Sequence, residues 1–173
     1  MKKIIRSGFM LLLITCIKAS AQNIDIPKNY HFNSDEDYAR YEPEIIKIAD
    51  WMNQMPWTAQ PKKREAATQF FLSWVKGTPA VTVRLTESVM LLSDRNPELG
   101  FTYMAQYSKY ALQHKADFDV NKATLVALRA MMAKYSTEPT KRKDFDVDRL
   151  IQRDKEGKLE DWVANEFYKD YRE

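Results

Sequence analysis

The sequence predicts an all-α protein, an irregular bundle of six or seven helices around a central apolar helix at about residues 120–135. Three observations predict it. First, VNKATLVALRAMMAKY (Val120–Tyr135) leaves Lys122, Arg129 and Lys134 as its main polar positions, and a helix apolar nearly all round wants neighbours on several sides. Second, Ala67, Phe70, Phe71 and Trp74 form a clean helical stripe between Pro61 and Gly77, the most legible helix in the chain. Third, beyond residue 21 only Gly77, Gly100 and Gly157 are glycine, too few for the tight turns of a barrel or sandwich.

Residues 1–21 read as a cleavable export signal. Lys2, Lys3 and Arg6 make a basic start, Phe9 to Ile17 a short apolar core, and Ala19-Ser20-Ala21 the small-residue cleavage pattern. The expected destination is periplasmic or secreted. A lipid-attached form through Cys16 is the minor alternative, weakened by the bulky Thr15 before it. Four of the 27 basic residues and none of the 24 acidic ones lie in this segment, which leaves 23 basic residues against 24 acidic ones. The basic character of the whole chain therefore belongs to the signal and does not point to nucleic acid. Cys16 is the sole cysteine, so the remaining chain must rely on its core rather than on disulfides.

After an extended lead-in at residues 22–33, a single helical domain is expected over 34–173. Ser34 before Asp35, Glu36 and Asp37 makes a capped helix start. Pro43 opens a second piece with Ile45, Ile48, Ala49 and Met52 on one face, and Trp51 and Trp57 flank its end as edge-of-core packing. Gly77 stands where a left-handed C-terminal residue belongs, with Pro79 beyond it.

Val81 to Thr86 alternates strictly, as a half-buried strand does. No second segment matches it, and a lone strand is not stable. An extended crossing into a short helix over Glu87–Ser93 is the favoured reading, with Val89, Leu91 and Leu92 on its apolar side; pairing with another chain and a β-branched helix entry are the alternatives. Asn96-Pro97-Glu98 starts a helix to about Lys115, burying Phe101, Met104, Ala105, Ser108, Ala111 and Leu112. Ser136–Lys143 reads as a polar connector. Val147, Leu150 and Ile151 mark a short helix ended by Gly157; Leu159, Trp162, Val163 and Phe167 mark the last one.

The sharpest local feature is Tyr103, Tyr107, Tyr110 and His114, a second stripe about 130° around the same helix. A packing surface against another helix is the plainer reading; an aromatic wall for a glycan, a peptide or a flat ligand is the functional one. Asp117-Phe118-Asp119-Val120 recurs as Asp144-Phe145-Asp146-Val147. Each resembles the opening of a calcium loop, but Lys122 or Arg149 replaces the required glycine, and Leu128 or Lys155 the required glutamate. Helix capping explains both copies. With His31 and His114 the only histidines, no Cys/His metal set can be built, no cofactor is implied, and a hydrolase would need carboxylate pairs such as Glu42 and Glu44 or Glu160 and Asp161.

Phe70-Phe71-Leu72-Ser73-Trp74, Gly77-Thr78-Pro79, Val81-Thr82-Val83, Asn96-Pro97-Glu98-Leu99 and Lys109-Tyr110-Ala111-Leu112 together resemble small secreted helical proteins of bacteroidete-type bacteria. The resemblance spans roughly residues 66–171. It implies export and a helical fold, and brings no catalytic residue or ligand. The function expected is therefore that of a non-enzymatic, exported interaction or envelope-associated module without a transmembrane span. A small-ligand binder using the tyrosine stripe and an envelope hydrolase are the alternatives.

Overall fold

The computed structural model describes residues 24–169. The expected signal segment, Cys16 within it, and residues 170–173 lie outside the described residues. Among the described residues eight helices follow in order: α1 (Asp35–Arg40), α2 (Glu42–Gln54), α3 (Pro61–Val75), α4 (Glu87–Leu91), α5 (Pro97–Gln113), α6 (Val120–Thr137), α7 (Phe145–Lys155) and α8 (Leu159–Asn165). No strand occurs among the described residues. The count exceeds the expected six or seven; the two shortest, α1 and α4, are six and five residues long.

The starts follow local chemistry. Ser34 caps α1 through its hydroxyl, which accepts from the Asp37 N–H. Thr86 does the same for α4 towards Val89. The two Asp-Phe-Asp copies are indeed caps: Asp119 accepts from the amides of Asn121 and Lys122, and Asp144 from those of Asp146 and Val147. Asn96 departs from expectation. Its side chain makes no bond to the first turn of α5, and instead donates to the Arg142 carbonyl (2.9 Å) while accepting from the Arg142 N–H (2.8 Å). A residue 46 positions away competes successfully for the amide, and it pins the 138–143 connector to the head of α5.

Helices α5 and α6 form the spine, with α2 and α3 packed on α5, and α7 and α8 on α6. Helix α6 is not buried all round. Lys122, Val126, Arg129 and Ala133 recur every three or four residues as an exposed stripe, whereas α5 buries nine side chains on two faces. Ala67, Phe70, Phe71 and Trp74 are fully buried, as the α3 stripe predicts; each large ring contributes about 1.5–3 kcal/mol relative to exposure. Residues 24–33 contain no helix, yet they are not a loose arm. Ile24 is buried, Tyr30 meets Phe70 edge-on, and Phe32 stacks on Tyr38 at 4.8 Å.

Gly77 has no left-handed backbone; among the described glycines only Gly157 does, at φ +68°. Gly77 is required for a different reason. A Cβ there would lie 2.0 Å from the Tyr38 hydroxyl oxygen and 2.8 Å from its ring. Residues 81–86 run without turn or bend, as an extended crossing into α4. Leu91 does not face inward as expected; it is half exposed, and Val89 and Leu92 hold α4 to the core.

Candidate functional site

The tyrosine stripe turns mostly inward. Tyr103 and Tyr107 are 0% and 1% exposed and lie within the core, Tyr103 against Phe167 and Tyr107 against Phe118. The Tyr103 hydroxyl lies beside the hydrogen-bonded hydroxyls of Thr124 and Tyr168 and makes no hydrogen bond of normal geometry itself. Burial holds its pKa far above the normal phenol range. Tyr110 and His114 remain half-buried at the rim, their rings stacked on each other at 4.2 Å, and His114 lies 3.4 Å from the Asp117 carboxylate. Two of the four residues therefore present no surface to a ligand. The plainer packing reading describes them, while Tyr110 and His114 keep a partly open edge.

A second polar constellation is hidden where the sequence reads only as a connector. Lys134, at the end of α6, and Glu138, just past it, are 4% and 1% exposed and 3.4 Å apart. The Lys134 ammonium also donates to the Met55 carbonyl, and Glu138 accepts from the Trp57 N–H and the Thr140 hydroxyl. Arg64 from α3 completes the group, donating to the carbonyls of Met55 and Pro56. Burial lowers the Lys134 pKa against the opposing pull of Glu138. Burial alone would raise Glu138, but its hydrogen bonds and the Lys134 charge outweigh that and leave it lowered. These contacts tie the 55–60 loop to the end of α6 and to α3, a clamp whose ion pair is shut away from water.

One member of each acid pair considered for hydrolysis is engaged structurally. Glu42 is held by Lys115 at 2.5 Å. Glu160 is held by Arg129, which also grips Asp154; that hydrogen bond keeps the Glu160 carboxyl below its usual value. A general acid needs the opposite shift. Among the described residues, no three His, Cys, Asp or Glu side chains converge as a metal-binding group.

The surface with open chemistry lies elsewhere, between α4, α7 and α8. Ser88, Leu91, Leu92, Leu150 and Trp162, with Asp146, Arg149 and Arg153, line a cleft of about 250 Å³. Helix periodicity makes it: Asp146, Arg149, Leu150 and Arg153 fall on one face of α7 at three- and four-residue steps. Leu92 and Leu150 form a buried floor, while Leu91 stands 51% exposed at the edge. The Arg153 guanidinium lies over the Trp162 ring at 4.6 Å. Arg149 pairs with Asp146, but Arg153 has no salt bridge among the described residues. Sequence reading missed this site. It places Leu91 and Trp162 on apolar helix faces and gives Arg153 no role. The only available signal was two arginines four apart on a helix whose other face is apolar.

No family model, curated protein or solved structure matches the chain. Among the described residues no helix is long and apolar enough to cross a membrane.

Proposed function

We propose that the protein is an exported, non-enzymatic interaction module, and that the α4/α7/α8 cleft docks an acidic, leucine-rich segment of another protein. The single observation behind the reading is the Arg153–Trp162 pair set above an apolar floor with Leu91 at its rim. Such a stack holds a guanidinium in one place with its edge available for a carboxylate, and the leucines beside it accept an aliphatic side chain. Export rests on the sequence of residues 1–21 and on the resemblance to small secreted helical proteins.

The test is calorimetric titration of the chain lacking residues 1–21 with a soluble peptide of alternating Asp and Leu. Saturable binding that weakens at high salt, and that falls at least about tenfold in Arg153→Glu, supports the reading. No binding by the wild type, or equal binding by the variant, overturns it. The second reading, a glycan or peptide contacting the Tyr110–His114 edge, is favoured by their partial exposure. It requires instead that Tyr110→Ala abolish binding while Arg153→Glu does not.

A further inference from the structure

Arg64 has more hydrogen-bonding capacity than the chain uses. Its Nη2 group donates to the Met55 and Pro56 carbonyls, and the guanidinium lies 5.6 Å from the centroid of the Trp51 ring. These contacts hold it in one place. The Nε–H is buried without a partner, and Nη1 meets only the Met52 sulfur, at 3.4 Å, a weak acceptor for a group with two protons to give. Together with the Lys134–Glu138 pair, Arg64 makes two cations for one carboxylate, drawn to Glu138 and repelling Lys134. A half-buried guanidinium so placed calls for a further negative partner.

The nearest candidate within the chain does not reach it. Glu98 is exposed on the first turn of α5 and attracts Arg64 from a distance. No salt bridge or hydrogen bond joins the two, and the Glu98 carboxylate has no other partner among the described residues. Both residues line a hollow of about 230 Å³ whose walls include Met52, Thr68, Phe101 and Thr102. The Thr102 hydroxyl is already spent on the Glu98 carbonyl, at 2.9 Å, and Phe101 is braced edge-on by Phe71. The volume falls below the range of about 300–1,000 Å³ for drug-sized ligands, which restricts the occupant to a small molecule. A simple carboxylic acid entering here would satisfy Arg64 but be repelled by Glu98, and a simple amine would meet the reverse. A molecule with both charges and an apolar tail finds a complement at each end.

We propose that the hollow between α2, α3 and α5 binds a free α-amino acid with an apolar side chain. Its carboxylate takes the Nη1 protons of Arg64, its ammonium faces Glu98, and its side chain lies against Met52 and Phe101. The hollow shares no residue with the α4/α7/α8 cleft, and the proposal does not depend on the docking reading above.

Calorimetric titration of the chain lacking residues 1–21 with leucine tests it, beside isocaproate, which lacks the amine, isoamylamine, which lacks the carboxylate, and glycine, which lacks the tail. The expected result is saturable binding of leucine, with each of the three analogues at least about tenfold weaker. Because Arg64 also holds the 55–60 loop, the decisive variant is Glu98→Gln, at an exposed position with an unchanged circular dichroism spectrum expected. It should weaken leucine binding at least about tenfold and erase the preference for leucine over isocaproate. Glu87→Gln, which removes an exposed acid from the first turn of α4 instead, should change neither. Absence of saturable binding for leucine, methionine and phenylalanine alike overturns the proposal. So does isocaproate binding as tightly as leucine, which would mark a plain carboxylate site, and so does leucine binding that is unchanged in Glu98→Gln.

Discussion

Lys134 and Glu138 stand one helical turn apart and 3.4 Å from each other, both shut away from water at the point where the 55–60 loop crosses the end of α6. Removing one member of a buried pair leaves the other charge uncompensated. Glu138→Ala is therefore expected to cost about 3–5 kcal/mol, and to free the loop by deleting the acceptor for the Trp57 N–H. The double variant Lys134→Met/Glu138→Leu should lose less than the sum of the two singles, since no charge is then stranded. Urea denaturation of the four proteins measures the difference.

The same carboxylate sets part of the acid response. Its folded-state pKa is lowered, so its contribution is fully present above the unfolded carboxylate value and is lost as pH falls through the lower, folded value. Wild-type stability should fall through this acid window, and Glu138→Gln should show a shallower slope there. Parallel slopes for the two proteins would contradict the assignment.

Gly77→Ala should destabilise by about 1–3 kcal/mol, because the new methyl overlaps the Tyr38 ring and hydroxyl. In a Tyr38→Ala background the same substitution should cost much less, since the overlapping atoms are gone. Thermal unfolding of this two-by-two set distinguishes steric overlap from a backbone-conformation effect, which would be the same in both backgrounds.

Asp119→Ala and Asp144→Ala should each cost about 1 kcal/mol by loss of a helix cap, while adding calcium should not move the melting temperature of the wild type. Each carboxylate already accepts from two backbone amides. A calcium-dependent rise in melting temperature that vanishes in either variant would revive the loop reading.

Tyr107→Ala should fail to fold stably, with a loss of about 3–5 kcal/mol for a buried aromatic ring, so lost binding in that variant cannot identify a ligand contact. Tyr103→Phe should be close to neutral because it removes an unpaired hydroxyl. In a spectrophotometric titration the Tyr103 phenol should ionise only when alkali unfolds the protein.

Local grammar was legible from the sequence, and distant pairing was not. The α3 stripe, the Ser34 and Asp caps and the stop at Gly157 depend on residues within one or two turns, so spacing alone reveals them. Glu138 sits in STEPTKRK, which looks solvated until Trp57, 81 positions earlier, supplies the amide that it binds. Asn96 carries a cap sequence but bonds to Arg142, again beyond any local window. Gly77 was recognisable as special, but its reason, Tyr38, lies on another helix. Both faces of α5 read as apolar; only the packed neighbours show that the tyrosine face is the deeper one. The cleft was hidden for the converse reason, since α4 is too short for periodicity to say which leucine faces out.

Phe167 and Tyr168 lie beyond the last helix, yet Phe167 packs against Tyr103 and Trp162, and Tyr168 bonds to Thr124 on α6. The seam between the two longest helices is thus sealed by residues that belong to no helix, and displacing them would open Tyr103 on α5 and Thr124 on α6 to water.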